Sequence, residues 1–283
     1  MSTNEPTTIV DDIFSPYLSS LGFVAPELEH VEDFHETTKY KPYFDRILGR
    51  RIGTYLTDPR AVQETVSNWK RYTELPRIYL PNPDPVVTPF SEIMARRRSC
   101  RSFTGQRITI DELSETLSSV RSNRKAKSSL DKDLELRFRP YPSGGGLYPC
   151  EIYMVASAVD GLKKGVYHYD PFGHALTLIA PMPSASQFQK DMSDLDGTTG
   201  NVAVTFFITA LFERTVVKYA ERGYRFAIAE AGMIGLMLNL AAVGIDLGTL
   251  NWGGYIEDKI DRILAIDGVS ETVVGCLLIG KEE

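Results

Sequence analysis

The sequence predicts an α+β protein, with a mixed central sheet flanked by helices and entered through a mostly helical N-terminal extension. Three observations carry this. Residues 1–85 place apolar side chains at helical spacing, in FSPYLSSLGF, YFDRILGRRIGTYL and AVQETVSNWKRYTEL. Beyond residue 150 come short β-branched and aromatic runs bounded by turn residues, the pattern of strands. Between two groups of these runs lies a long, nearly continuous apolar stretch, 218–243. Strands grouped on either side of one buried helix make a layered α+β domain.

In chain order, the extension fills residues 1–85 and the main body residues 86–283. The proline-rich stretch 76–89 breaks any helix between them. PFSEIMARRRS then opens a helix with Ser91 as its cap. Thr109 followed by Glu112 is a capping box and starts the next helix. Residues 122–138, rich in Lys, Arg and Ser, read as an exposed, mobile loop. EIYMVA, GVYHY and ALTLI read as strands, the last two joined by PFG. VAVTFFITALF is too apolar for a surface strand and belongs at the centre of the sheet. The stretch 218–243 is long enough to span a membrane, but Glu230 and Asn239 sit inside it and no basic flank or aromatic belt follows, so it reads as a core helix buried on most sides. GTLNWGGY is a glycine-marked turn, IEDKIDRILAI a short helix and TVVGCLLIG the closing strand.

Composition narrows the function. At 43% hydrophobic and 24% charged residues in 283, the chain is of ordinary globular make-up. A formal charge of -6 and a pI near 5.4 argue against a protein held on nucleic acid by bulk charge. Cys100, Cys150 and Cys276 are too few and too far apart for a disulfide framework or a Cys-x-x-Cys metal site. The polar, acidic start lacks the segments of a signal peptide, and a reducing cytoplasm is the expected compartment. No histidine falls in a zinc spacing, no G-x-S-x-G elbow is present, and His168 in YHYDP reads as structural.

Four segments carry residue types suited to chemistry. Arg96 to Phe103, RRRSCRSF, offers arginine forks and a serine hydroxyl, a set that clamps phosphate as readily as it coats a solvated surface. Pro142 to Pro149, PSGGGLYP, lets backbone N–H groups approach a flat or anionic ligand, yet fits neither the Walker nor the dinucleotide spacing. KYAERGYR, from Lys218, sets Lys218 beside Tyr219 within a cationic group of Arg214, Lys218, Arg222 and Arg225 at helical spacing. Burial or neighbouring cations would tune such a pair for proton transfer. GTLNWGGY suits a backbone wrapped against an aromatic ring.

In order and spacing, RRRSCRSF, PYPSGGGLYPCEIY, GVYHYDPFGHAL, KYAERGYRFAIAEAG, GTLNWGGY and a closing LLIG resemble the SagB-type dehydrogenases of the nitroreductase superfamily, above all the azole-forming enzymes of microcin biosynthesis. FHETTKY resembles that family's entry motif, and the likeness covers roughly residues 32–280. The resemblance implies a nitroreductase-like fold and a homodimer with FMN at the subunit interface. Arg97, Arg98, Ser99 and Arg101 would clamp the FMN phosphate. Pro142, Ser143, Gly144, Gly145 and Gly146 would line the flavin, and Trp252, Gly253 and Gly254 would present backbone amides to it. Lys218 and Tyr219 would be the catalytic pair, with their individual roles open. Family members oxidise thiazolines and oxazolines in a ribosomal peptide to azoles. They work with a YcaO-type cyclodehydratase, leader-peptide-binding subunits and the precursor peptide. No metal, nucleic acid or membrane is implied.

The chain departs from the family pattern in three places. Leu236 and Met237 replace a usual Gln-Asn pair, so a polar contact there is either absent or moved to Asn239. Lys281 is the only candidate left from the basic C-terminal tail of some nitroreductases. The loop at 122–138 has no certain counterpart and is free to meet a partner or leader peptide. Two alternatives stand beside the azoline dehydrogenase: an NAD(P)H-dependent nitro or flavin reductase, and an FMN-binding scaffold in a peptide-modifying complex.

Overall fold

The computed structural model describes residues 29–40, 44–67, 69–83, 86–127, 133, 135–194 and 197–283. The expected helix at FSPYLSSLGF lies outside them. The chain divides into two compact units, Met1–Lys39 and Tyr40–Glu283. In the first, helix α1 (Glu29–Thr37) ends where the Thr38 hydroxyl donates to the carbonyl of Phe34 at 2.6 Å.

The second unit begins with α2 (Phe44–Thr57), α3 (Pro59–Ser67), the short strand β1 (Arg77–Tyr79), α4 (Phe90–Arg96) and α5 (Ile110–Ser118). A two-stranded ribbon, β2 (Arg124–Lys127) and β3 (Glu135–Phe138), leads to a 3-10 turn at Gly144–Gly146. Then follow β4 (Cys150–Ala156), β5 (Gly165–Asp170), β6 (Ala175–Pro181), α6 (Ala185–Asp191) and β7 (Val204–Leu211). The chain closes with α7 (Glu213–Tyr219), α8 (Arg222–Gly244), β8 (Gly248–Asn251), α9 (Glu257–Ile263) and β9 (Glu271–Gly280).

Seven strands form one sheet in the order β1-β6-β5-β4-β7-β9-β8. The α+β class and the helix-flanked sheet stand, but the sheet is not mixed. Every pairing within it is antiparallel, and the parallel contact among the described residues is the isolated bridge between Ile108 and Val159. The turns joining β4 to β5 and β5 to β6 are too short for the crossover that a parallel pair requires. β7 lies inside the sheet between β4 and β9, as its composition predicts, and both of its faces are covered. Met154, Tyr167 and Phe206 pack with Leu113, Leu117 and Leu238 of α5 and α8. The alternate residues Tyr153, Val155 and Phe207 pack with Phe188, Ile260 and Leu264 around α6 and α9.

Local signals were right where they were self-contained. Thr109 accepts from the Glu112 N–H at 3.0 Å and Glu112 accepts from the Thr109 N–H at 2.8 Å, a closed capping box. The cap of α4 is Pro89 rather than Ser91: the Pro89 carbonyl takes the N–H groups of Glu92 and Ile93. Part of the proline-rich entry is strand, β1, pairing with β6 at the sheet edge. Residues 122–138 are not a loop in their described parts but the β2–β3 ribbon. Arg124 lies 4.4 Å from the centre of the Phe138 ring and Lys125 pairs with Glu135 at 3.1 Å, cross-strand contacts that a polar composition conceals.

The stretch 218–243 is also two helices. Ala220, at φ +50°, ends α7 and separates it from α8, so the four cations do not share one stripe. α8 is long and apolar enough to cross a membrane, yet it is buried along one side, not most sides. Ile228, Met233 and Leu236 are exposed, while Tyr224 stacks on Phe212 at 4.4 Å. Asn239, one turn on from Leu236, is buried with its Oδ1 unpaired.

His174 closes the β5–β6 turn from inside the core. Its Nδ1 lies 2.8 Å from the Tyr169 hydroxyl and its Nε2 lies 2.8 Å from the Ser114 hydroxyl. Burial, with help from the Arg121 charge, pushes the imidazole down to about 4. A depressed imidazole gives stability that is full above the unfolded value and is lost as pH falls toward the folded one. His174→Gln is therefore expected to lose stability at pH 7. That deficit should shrink by about 2 kcal/mol at pH 5, measured by urea unfolding of both proteins at both pH values.

Candidate active site

The glycine turn is shaped by its own polar groups. The Ser143 hydroxyl accepts from the Tyr148 N–H at 2.8 Å, and the Gly146 N–H donates to the Ser143 carbonyl at 3.0 Å. Gly145 has φ +67°, in the region that favours glycine. A Cβ there would lie 2.8 Å from the Lys218 Nζ and closer still to the Tyr219 hydroxyl. The fold thus brings the two most chemical motifs of the sequence onto one α-carbon.

Arg214 makes this possible. Near the start of α7, its Nη1 donates to Glu151 Oε1 at 2.6 Å and to the Tyr148 carbonyl at 3.1 Å, tying the helix to β4 and to the end of the glycine segment. Lys218 follows four residues later on the same helix face. Glu151 is buried, and its Oε2 lies 3.0 Å from His168 Nε2. Burial alone would raise the Glu151 carboxyl, but Arg214 and then His168 hold it well below the usual range. His168 is structural, as its strand context implied. At the far end of α7, Arg51 of α2 donates to the carbonyls of Val216 and Val217 at 3.1 and 2.7 Å.

Lys218 is 4% exposed, and no carboxylate pairs with it among the described residues. Its Nζ lies 4.6 Å from the centre of the Tyr55 ring and 5.2 Å from that of Tyr219. Burial lowers its pKa; burial, then Tyr55, raise that of Tyr219. The two shifts point in opposite chemical directions: the amine releases its proton more readily and the phenol keeps its own. Phe226 stands edge-on to Tyr219 at 4.9 Å and bounds the turn beside Gly144. Tyr55 escapes sequence reasoning because it sits in a plain amphipathic helix far along the chain, without a motif. Glu230 is a second omission. Buried on α8, it is pushed up to about 7 by burial, against the pull of Ser143 and Arg139.

The remaining site residues lie elsewhere. Arg98 pairs with Glu282 at 2.6 Å, and Arg96 pairs with Asp246. Together they line a cavity of about 160 Å³ with Val243, Leu247 and Thr249. Arg97, Ser99 and Arg101 make no side-chain hydrogen bond or ion pair among the described residues, so their donors are free. The Cys100 N–H donates to the Thr249 carbonyl at 2.8 Å, which lays this segment beside β8 and hence near Trp252 to Gly254. The Trp252 N–H is already donated to the Cys276 carbonyl, and its indole N–H to the Met192 carbonyl, leaving the exposed amides of Gly253 and Gly254. Lys281 pairs with Glu112, while its neighbour Glu282 turns the other way to Arg98. Pro142 is exposed at the mouth of the glycine turn.

The predicted residues thus form two groups at opposite ends of α8. Phe226 meets the glycine turn and Val243 lines the basic cavity, about 26 Å apart at 1.5 Å per residue. One end can exchange a proton beside a bare backbone surface. The other can hold an anion.

The sequence profile of the nitroreductase family matches residues 94–281. A protein of Methanocaldococcus jannaschii named as a nitroreductase is 30% identical over 185 residues, 65% of this chain and 88% of that one. The microcin B17-processing protein McbC of Escherichia coli is 31% identical over 133 residues, covering 46% of this chain and 49% of McbC. Among solved structures, a chain of the E. coli microcin synthetase McbBCD complex, with truncated pro-MccB17 bound, shares the fold. It has a TM-score of 0.58 and 24% identity, and the match covers 94% of this chain and 97% of that one.

Gly145 and Gly146 share nearly the same backbone angle, φ +67° and +69°, but only Gly145 faces Lys218 and Tyr219. Alanine at either position carries a strain of about 1–2 kcal/mol. Gly145→Ala must also displace the Lys218 ammonium, and it is expected to lower the melting temperature more than Gly146→Ala. Equal shifts in thermal unfolding would show that the lysine and tyrosine do not rest on Gly145.

Proposed function

The chain belongs to the nitroreductase family, and we propose that it is an FMN-dependent oxidoreductase that oxidises thiazoline or oxazoline rings of a ribosomally made peptide to thiazoles or oxazoles. The observation that carries this reading is the meeting of Lys218 and Tyr219 over Gly145. Converting an azoline to an azole removes a proton from one ring carbon and a hydride from the next. Bound FMN would supply the hydride acceptor.

The residues present suit that group. Gly144 and Gly145 are faced by Phe226, Lys218 and Tyr219, while Gly146 has no side chain nearer than 4.0 Å to where a Cβ would stand; a flat ring system suits that open side, with Pro142, Ser143 and Gly144 to Gly146 beside it. The free donors of Arg97, Ser99 and Arg101, with Arg98 released from Glu282, suit a phosphate. Gly253 and Gly254 retain amides for the ring edge, and Lys281 would join the clamp by leaving Glu112.

Lys218 is the base in this reading. Its burial without a carboxylate favours the neutral amine, which takes the ring proton. Tyr219 keeps its proton and donates a hydrogen bond to the substrate ring. The stack of Lys218 on Tyr55 fixes the amine and keeps water from its far side.

The two site groups sit farther apart on one chain than the ring and phosphate of a single FMN. A homodimer resolves this if the clamp of one protomer meets the glycine turn of its partner, and the exposed apolar side chains of Ile228, Met233 and Leu236 on α8 support such an interface. The likeness to McbC supports assembly with a YcaO-type cyclodehydratase, a leader-peptide-binding subunit and the precursor peptide. Residues 1–85 form the extension and 86–283 the FMN-binding domain of this cytoplasmic enzyme. Its relative from M. jannaschii favours a second reading, an NAD(P)H-driven reductase on the same fold.

Anaerobic protein mixed separately with an azoline peptide and with NADPH distinguishes the two. Bleaching of the flavin band by the peptide, with a mass loss of two hydrogens, is expected; bleaching by NADPH alone would favour the reductase. Lys218→Met is expected to keep the flavin spectrum and lose about 10²–10⁴ in rate. In the parent, the rate should rise with pH and level off below the usual lysine range, as the amine loses its proton. A rate independent of residue 218 removes it from catalysis.

A further inference from the structure

On the sheet face turned away from α8, the chain from Lys70 to Thr73 lies over β5 and β6 and closes a cavity of about 230 Å³. Lys70, Arg71, Arg77, His168 and Asp170 line it. Its charges are unequally satisfied. Lys70 pairs with Glu271 at 2.5 Å, Arg77 pairs with Asp170, and His168 is committed to Glu151. Arg71 has no carboxylate partner among the described residues. Its guanidinium is stacked 3.8 Å from the centre of the Trp69 ring, and the Trp69 indole N–H is buried without a hydrogen-bond partner. Partial burial, then the charges of Arg77 and Arg137, act against the Arg71 cation. A stacked guanidinium keeps its N–H edge free for the two oxygens of an anion, and an anion there relieves the repulsion.

We propose that this cavity binds a small oxyanion, a phosphate or a carboxylate group, on the Arg71 guanidinium. The site is separate from the Arg97–Arg101 clamp and from Lys218, and none of the motifs that carry the family resemblance includes Arg71. Its volume admits one such group with a short attachment.

The test is calorimetric titration of the flavin-loaded protein with inorganic phosphate and, separately, with a short peptide bearing Asp and Glu. The same peptide with Asn and Gln serves as the neutral control. Saturable binding of phosphate or of the acidic peptide is expected, and the tighter of the two identifies the source of the oxyanion. Arg71→Gln should weaken it about tenfold or more. Arg71→Lys, which keeps the charge without the fork, should fall between. Lys164→Gln, on the exposed turn before β5, should leave it unchanged. Parent-like binding by Arg71→Gln, an equal loss in Lys164→Gln, or no saturable binding of either ligand would overturn the proposal.

Discussion

The buried pair of Arg214 and Glu151 is the contact on which the site depends. Two charges are expensive to remove from water, and this pair persists because each partner is held further: Glu151 by His168, Arg214 by the Tyr148 carbonyl. The arrangement joins three pieces of chain. Glu151 begins the central strand β4, Tyr148 ends the glycine segment and Arg214 starts α7. Once these are fixed, Lys218 and Tyr219 have one place to go, against Gly145. Removing either charge would leave the other buried and unpaired, at a cost of about 3–5 kcal/mol.

The same constraint sets the electrostatics. Glu151 is consumed by Arg214 and His168, and among the described residues no carboxylate pairs with Lys218, whose amine lies against the Tyr55 and Tyr219 rings. An unpaired ammonium in such a place is poised to be neutral, the state a base requires. α2 completes the enclosure, since Arg51 fastens it to the last carbonyls of α7 while Tyr55 covers the amine. α2 is therefore part of the site. α8 separates the two site groups by its length, with Ile228, Met233 and Leu236 exposed along it.

Much of this was legible in the sequence where a signal was local. The Thr109–Glu112 capping box and the apolar strand β7 each depend on a few adjacent residues, and each is found as read. What was not legible depends on contacts between distant residues. The ribbon at 124–138 looked like a loop because its apolar face is made by Arg stems on Phe138 instead of by apolar residues. The break at Ala220 was hidden because alanine favours helix, and tertiary packing overrides that preference. Tyr55 carries no local sign of its role. Lys281, just past β9, pairs with Glu112, 169 residues away, and nothing local in the sequence announces that contact.

The account's central claim is that Arg214 places the base. The most direct measurement is the rate of flavin reduction in a single anaerobic turnover of an azoline peptide by Arg214→Gln. That variant is first checked for native far-UV circular dichroism and a full flavin spectrum. A misplaced base predicts a loss of about a hundredfold with the cofactor still bound. A parent-like rate in a folded, flavin-loaded variant would contradict the claim.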